Sequence, residues 1–133
     1  MCLTLESDYA LRIVGCLAEG SARKDARLIS EQTGVTLRFA LKILRKLVSG
    51  GIVCSFKGMQ GGYELARPAD QITLYDVVSV IEGDFHLNKC HEDDFVCTRT
   101  SKACCFYRPV FEEISDIVIE KLSSHSFADI IGD

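Results

Sequence analysis

Long apolar runs are missing from this chain of 133 residues. None approaches the roughly 20 residues that a membrane-spanning helix needs, so we expect no membrane association. The N-terminus has neither a basic start nor a long apolar stretch, and no signal peptide is expected. The sequence also lacks a nucleophile with a partner base and a phosphate-cradling loop ahead of a helix, so an enzyme is not expected.

An even set of cysteines is missing too. The chain has seven, and four of them crowd between Cys90 and Cys105. Secreted disulfide scaffolds use an even count spread along the chain, so the pattern indicates a reducing cytoplasm with metal or redox chemistry. Cys2, Cys16 and Cys54 lie in or near apolar patterns and are predicted to be small buried residues.

The net charge of −4 is unevenly distributed. Residues 1–67 carry ten Lys and Arg against six Asp and Glu, a net of +4, whereas residues 68–133 carry five against thirteen, a net of −8. A basic half joined to an acidic half suggests that the first half meets phosphate.

Three helices are predicted in the basic half. The first begins near Ser7, which is a suitable N-cap, the second is short and ends at Gly34, and Thr36 caps the third. Apolar residues of the third helix recur at i, i+3, i+4 and i+7 and predict a buried stripe of Ala40, Ile43, Leu44 and Leu47. Two short helices joined by a glycine-containing turn, the second of them basic, outline a helix-turn-helix.

The segment after the third helix predicts a β-hairpin. Residues 52–57 and 63–66 alternate in strand fashion around a glycine-rich middle. A hairpin directly after a helix-turn-helix is a wing. A fourth helix is predicted from Thr73 to Gly83, and a long final helix begins at Pro109.

The fold class predicted is mainly α with a small β-hairpin. Residues 1–83 form a winged helix-turn-helix DNA-binding domain, residues 84–106 a cysteine-rich loop, and residues 107–133 a dimerisation helix with a tail. The apolar stripe of the long helix is wide for one small domain, so we expect it to pack against a second copy in a homodimer. The alternative is a helix that folds back on its own winged domain.

Cations on the third helix predict contact with double-stranded DNA. Arg38, Lys42 and Arg45 lie opposite the apolar stripe, where they can reach phosphates and guanine edges. Thr36 can add a phosphate contact at the helix N-terminus. Leu41 lies on the same face and either touches a thymine methyl or packs against the preceding helix. The predicted DNA-contacting residues, including one at the wing tip, are Thr36, Arg38, Leu41, Lys42, Arg45 and Lys57.

The four clustered cysteines are not spaced like a zinc site. Zinc sites bring cysteines in as pairs two to four residues apart, whereas six residues separate Cys90, Cys97 and Cys104 from one another. The adjacent Cys104 and Cys105 start in different directions and do not suit one small ion. Three thiolates on a loop suit an iron–sulfur cluster, [2Fe–2S] or [4Fe–4S], which can be lost in an aerobic preparation.

The sequence resembles the Rrf2 (Rrf-two) family of bacterial regulators, which includes IscR, NsrR and the cluster-free CymR. The resemblance spans nearly the whole chain, and its segment from the wing to the fourth helix is specific. It implies a dimeric winged-helix repressor or activator with the long helix at the interface. The matching residues are Leu3-Thr4, Asp8–Arg12, Lys42–Leu44, Gly58, Gly61–Ala66 and Ile72–Val78.

The resemblance also implies a ligand set. Cluster-binding members use three cysteines in this loop, and anchoring on Phe111 of the long helix makes Cys105 the third ligand, whereas equal spacing favours Cys104. Where one branch has a histidine ligand three residues after the last cysteine, this chain has Arg108, which cannot ligate. Another branch takes a carboxylate from the partner subunit's first helix. Asp8 matches that position, although the helix dipole by itself also favours an acid in the first turn.

Together these features predict a cytoplasmic transcription regulator, a repressor, that binds an operator. Its affinity is controlled by an iron–sulfur cluster that senses redox state, nitric oxide or iron–sulfur status. The alternative is a cluster-free regulator of the same family with a thiol/disulfide or metal switch at Cys97, Cys104 and Cys105. An adaptor that binds protein instead of DNA is a further alternative, which the basic face of the third helix disfavours.

Overall fold

Six α-helices and one antiparallel hairpin make up the part of the chain that the computed structural model describes, namely residues 2–92, 95–98 and 105–132. The order confirms a mainly helical class with a small hairpin. Within these ranges no helix is both long and apolar enough to cross a membrane. The elements are α1 (Leu5–Ala18), α2 (Ala26–Thr33), α3 (Leu37–Ser49), β1 (Val53–Phe56), β2 (Gly62–Leu65), α4 (Leu74–Glu82), α5 (Tyr107–Ser123) and α6 (Phe127–Ile131), with short 3₁₀ turns at Ala69–Gln71 and Lys89–His91.

Side-chain caps fix where most of these helices begin. Thr36 and Thr73 cap α3 and α4 as predicted. The prediction that Ser7 caps the first helix is wrong, because α1 begins at Leu5 and its N-cap is Thr4. The Thr4 hydroxyl accepts a hydrogen bond from the Ser7 backbone N–H at 3.1 Å, while the Ser7 side chain is fully buried. A threonine at the N-cap satisfies one of the N–H groups that a helix start leaves unpaired.

The C-terminal segment differs from the prediction at two points. Helix α5 begins at Tyr107, two residues before the predicted Pro109, and the proline is tolerated because first-turn N–H groups lack helical acceptors. Helix α6 was not predicted. Ser126 and Asp129 form its capping box, but five residues are too few to show a periodic pattern.

The core lies between α1, α3 and α4, with a contribution from α6. The predicted stripe of α3 is fully buried, and Phe127 of α6 is 3% exposed within the same cluster. The tail after α5 therefore packs on the winged helix-turn-helix. The core side chains are Ala10, Ile13, Val14, Leu17, Ile29, Val35, Ala40, Ile43, Leu44, Leu47, Ile52, Val53, Ile72, Val77 and Phe127.

The wing is attached to the link between α1 and α2. Lys24 and Tyr63 exchange two backbone hydrogen bonds, Lys24 N–H to Tyr63 O at 3.1 Å and Tyr63 N–H to Lys24 O at 2.8 Å. Gly62 has φ +134°, and a Cβ added there would lie 2.8 Å from the Lys24 carbonyl oxygen. Only glycine fits this close approach without strain. The base of the wing is therefore held against the helix-turn-helix by backbone hydrogen bonds.

Gly62→Ala is expected to lower the free energy of unfolding by about 1–3 kcal/mol, because the new methyl group meets the Lys24 carbonyl at a backbone conformation unfavourable to alanine. Gly15→Ala is the matched control. Gly15 lies in α1 with no atom near its missing Cβ, so alanine should raise stability by about 0.5–1 kcal/mol. Guanidinium unfolding at fixed protein concentration measures both, and a Gly62→Ala protein as stable as the parent would contradict the attachment.

Candidate nucleic-acid interface and cysteine site

One face of α3 is basic, exposed and partly apolar. Five of its side chains line a shared open depression: Arg38, Phe39, Leu41, Lys42 and Arg45. We call these five residues the α3 surface. The three predicted cations therefore lie together, and Leu41 is 41% exposed beside them. This face combines positive charges with apolar side chains that are exposed to solvent.

The start of α3 contributes a polar group to the same end of the molecule. Thr36 is exposed, and its hydroxyl oxygen accepts a hydrogen bond from the Phe39 N–H at 3.4 Å. A hydroxyl that accepts one hydrogen bond still has its own hydrogen to donate. Thr36 can therefore cap the helix and donate to a phosphate at once.

Glu6 of α1 lies against α3 and was not anticipated from the sequence. Its Oε1 accepts a hydrogen bond from the Lys46 Nζ at 2.7 Å and lies 3.7 Å from the Lys42 Nζ. The Lys46 hydrogen bond, and then the charges of Lys46 and Lys42, lower the pKa of Glu6 from its ordinary value. Glu6 stays ionised to a lower pH than a free glutamate and holds a negative charge beside the α3 surface.

Arg23 holds the wing from the side. Its guanidinium carbon lies 3.4 Å from the centroid of the Phe56 ring. Its Nε lies 3.3 Å from the Glu64 carboxylate and its NH1 3.3 Å from the Gln60 carbonyl oxygen. These contacts restrain both strands, and Lys57 is exposed between them and the turn. The lysine is thus presented on a supported hairpin.

Three of the four clustered cysteines line one small cavity. Cys90, Cys97 and Cys105 lie around it with Phe95 and Arg108, whereas the alternative Cys104 falls outside the described residues. Among the residues that the structure describes, no three His, Cys, Asp or Glu side chains are close enough to hold a single metal ion. A cluster of several irons spans more than one ion and accepts thiolate sulfurs. The three thiols are donors of the kind that such a cluster accepts.

Arg108 brings a positive charge to this cavity. Its Nε lies 2.9 Å from the Glu112 carboxylate one turn along α5. The Glu112 hydrogen bond and charge raise the pKa of Arg108, and Cys90 and Cys105 add smaller contributions. At the position where the resemblance implied a ligand, the chain places a permanent cation that cannot bind iron.

Asp8 has a partner within its own helix. Its carboxylate lies 2.8 Å from the Arg12 guanidinium one turn away, and both side chains are about half exposed, at 47% and 49%. An exposed pair of this kind contributes little to stability. Asp8 can therefore exchange Arg12 for another positive partner at small cost.

The three cysteines outside the cluster are not alike. Cys16 is buried as predicted, and its Sγ donates to the Gln32 side-chain oxygen at 3.2 Å. The prediction that Cys2 and Cys54 are buried is wrong, because Cys2 is exposed and Cys54 is half-buried. Cys2 precedes the start of α1 at Leu5, and Cys54 lies in β1 on the same face as the half-buried Phe56.

A buried serine ties the cysteine segment to α5. The Ser115 hydroxyl accepts a hydrogen bond from the Leu87 N–H at 2.9 Å and donates to the Phe111 carbonyl at 2.8 Å. Ser115 is 3% exposed. At the C-terminal end of α4, from which this segment leaves, the Ser7 hydroxyl donates to the Glu82 carboxylate at 2.5 Å. The entry to the cysteine segment is thus attached to both α1 and α5.

Much of the predicted apolar stripe of α5 is uncovered in the single chain. Val110 is 52%, Ile114 38% and Ile117 58% exposed. Only Ser115 of this helix is buried among the residues described. The helix therefore has not folded its whole stripe onto its own winged domain.

Comparison with known proteins gives one family over nearly the whole chain. The Rrf2 model, described as an iron-dependent transcriptional regulator, matches residues 3–133. The sequence is 40% identical to protein aau3 of Rhizobium meliloti over 93 residues, which are 69% of this chain and 60% of that protein. It is 29% identical to protein rrf2 of Nitratidesulfovibrio vulgaris over 135 residues, which cover 100% of this chain and 89% of that protein. The match thus spans less than two thirds of aau3.

Two solved structures share the fold. CymR, the global cysteine regulator of B. subtilis, superposes with a TM-score of 0.80 at 25% identity, over 99% of this chain and 97% of that one. IscR of T. potens superposes with a TM-score of 0.78 at 24% identity, over 100% and 88%. The predicted winged-helix fold is confirmed by these superpositions.

Ser115→Ala is expected to lower the free energy of unfolding by about 1–3 kcal/mol, because the half-buried Leu87 N–H loses its acceptor. Ser124→Ala is the matched control, since Ser124, the C-cap of the same helix, donates to the Lys121 carbonyl at 2.7 Å but is exposed. Ser124→Ala should lower the free energy of unfolding by no more than about 0.5 kcal/mol. Chemical unfolding compares the two, and equal losses would contradict the role given to Ser115.

Proposed function

This chain belongs to the Rrf2 family of transcription regulators, which bind DNA and are not enzymes, and from this premise we propose that its α3 surface reads an operator under the control of an iron–sulfur cluster. The observation that carries the proposal is the gathering of Arg38, Lys42 and Arg45 on the exposed face of α3 beside a supported wing. We assign DNA reading to residues 1–83, cluster binding to residues 84–106 and dimerisation to residues 107–133. The site of action is the cytoplasm.

In the proposed complex α3 enters the major groove, which is wide enough for a helix. Arg38, Lys42 and Arg45 contact phosphates and guanine edges, and Thr36 donates to a phosphate at the helix start. The exposed Leu41 meets a thymine methyl. Lys57 of the wing contacts phosphate or the minor groove as a point charge, without the planar fork of an arginine.

The cluster is proposed to bind through Cys90, Cys97 and Cys105, with Cys104 as the alternative third ligand. When bound, the cluster supplies a centre that responds to oxidants, nitric oxide or iron supply. The chain's own residues position the sulfurs: Phe95 covers one side of the cavity, and Arg108 supplies positive charge near an anionic thiolate-ligated centre. The fourth ligand is proposed to be Asp8 of the partner subunit.

A second copy is proposed to cover α5. Val110, Ile114 and Ile117 leave apolar surface in water, and burying such surface is worth roughly 25 cal/mol per Å². A twofold pair of α5 helices would bury this stripe and set the separation between the two α3 surfaces. Through Ser115, the cysteine segment is attached to the same helix. Cluster loss can therefore alter operator affinity by a coupling energy of ~1–3 kcal/mol, and we propose repression as the output.

One observation favours a second candidate, a cluster-free regulator with a thiol/disulfide or metal switch. The structure of CymR, named as a cysteine regulator, superposes on this chain as well as that of IscR does. Cys97 with Cys104 or Cys105 would then form the switch. The candidates differ in one measurable quantity, the iron and acid-labile sulfide bound by protein prepared without oxygen.

Lys42→Ala combined with Arg45→Ala is expected to weaken binding to an operator selected from a random duplex pool by roughly tenfold or more. The slope of log K against log salt should fall by about two, one for each lost phosphate contact. Lys89→Ala with Lys121→Ala removes the same charge outside the winged helix-turn-helix and should change neither quantity. Fluorescence anisotropy measures both, and unchanged binding by the first variant would refute the α3 assignment.

Cys90→Ala and Cys97→Ala are expected to abolish bound iron and sulfide after anaerobic reconstitution, because each removes a thiolate from the shared cavity. Cys105→Ala should do the same, whereas Cys104→Ala should retain the cluster. Cys54→Ala, which changes a thiol in β1, is the control and should retain full content. Absorption spectra and elemental analysis give the result. A wild-type protein without iron and sulfide would support the thiol switch instead.

A further inference from the structure

We propose that Glu6 is a specificity-determining residue that restrains DNA binding: its carboxylate competes with DNA phosphate for Lys42. This inference rests on the proposed DNA-reading role of the α3 surface. It concerns an acid of another helix that neither the motifs nor the charge pattern pointed to. The contacts of Glu6 with α3 carry the argument.

The two lysines are held to different degrees. Lys46 Nζ lies 2.7 Å from the Glu6 Oε1 and is hydrogen-bonded to it, whereas Lys42 Nζ lies 3.7 Å away and forms a looser ion pair. Hydrogen bonds weaken beyond about 3.2 Å. The Lys42 side chain is also more exposed, at 57% against 40% for Lys46. Lys46 therefore fixes Glu6 in place, and Lys42 remains able to leave it.

A phosphate and Glu6 present the same chemistry to Lys42. Both are anionic oxygen acceptors, and an ammonium group exchanges one for the other without a change in hydrogen-bond type. When Lys42 turns to the duplex, the carboxylate remains close to the phosphates and repels them. Each lysine contact to phosphate is therefore made against the opposing charge of Glu6.

This competition affects unspecific duplexes most. Binding to a random sequence depends almost entirely on phosphate contacts, whereas an operator adds contacts to base edges. On a random duplex Lys42 has only phosphate to contact, whereas on an operator it contacts a guanine edge, which carries no net charge for Glu6 to repel. Glu6 therefore lowers the affinity for a random duplex by a larger factor than the affinity for the operator, and the ratio of the two affinities decides occupancy among many competing sites.

The test is Glu6→Gln, measured by fluorescence anisotropy on a random-sequence duplex and on an operator selected from a random pool. We expect tighter binding to both duplexes, with the larger gain on the random sequence. The advantage on the random duplex should shrink about threefold between 50 and 200 mM salt, as one added phosphate contact with a slope of ~0.9 requires. A gain in affinity cannot result from a variant that fails to fold.

Glu19→Gln is the matched control, because Glu19 is an exposed acid at the opposite end of α1. The same loss of charge there should leave both affinities unchanged. In the Lys42→Ala background, Glu6→Gln should lose most of its effect, since the competing lysine is absent.

The outcomes separate the two proposals. If Lys42→Ala with Arg45→Ala weakens binding while Glu6→Gln leaves it unchanged or weakens it, the α3 assignment stands and the restraint by Glu6 is overturned. If neither variant changes binding, the α3 assignment itself has failed. An equal gain from Glu19→Gln would overturn the restraint as well, because net charge alone would then explain the result.

Discussion

Burial of one stripe of α3 is the constraint on which the rest of the winged helix-turn-helix depends. Its four side chains are fully buried, and each large aliphatic one is worth about 1.5–3 kcal/mol relative to exposure. Turning the helix about its axis would expose them and cost several kcal/mol. Because a helix has 3.6 residues per turn, this burial leaves positions 38, 42 and 45 in solvent. Burial of the apolar stripe therefore determines which side chains form the basic face of α3. The wing is attached to the same helix-turn-helix, so its position relative to α3 is fixed as well.

Helix α1 connects the two regions to which functions were assigned. Glu6 contacts α3, and the next residue, Ser7, donates a hydrogen bond to Glu82 at the end of α4. The cysteine segment follows α4 directly, and its Leu87 is attached to α5 through Ser115. One helical turn of α1 thus touches both the α3 surface and the entry to the cysteine cavity. These contacts give the proposed control of operator affinity a contiguous path between the two regions.

The helix-turn-helix, the wing and the buried stripe of α3 were predictable because each leaves a local periodic or capping pattern in the sequence. The gathering of Cys90, Cys97 and Cys105 agreed with their placement on one loop. The pairs Glu6–Lys46 and Arg23–Glu64 join residues about 40 positions apart, and no local pattern reports such a pairing. Helix α6 was missed because a helix of five residues is too short to show a periodic pattern, although the Ser126 and Asp129 capping box can be recognised in the sequence.

The packing of α6 on the winged helix-turn-helix has a consequence for synthesis. Phe127 is a core residue, and the isolated bridge between Thr73 and Ser126 brings its helix to the start of α4. A nascent chain that has released only residues 1–83 still lacks part of its own hydrophobic core. The winged helix-turn-helix therefore has its complete core only once α5 and α6 have also left the ribosome, and a chain cut short before Phe127 lacks this part of the packing.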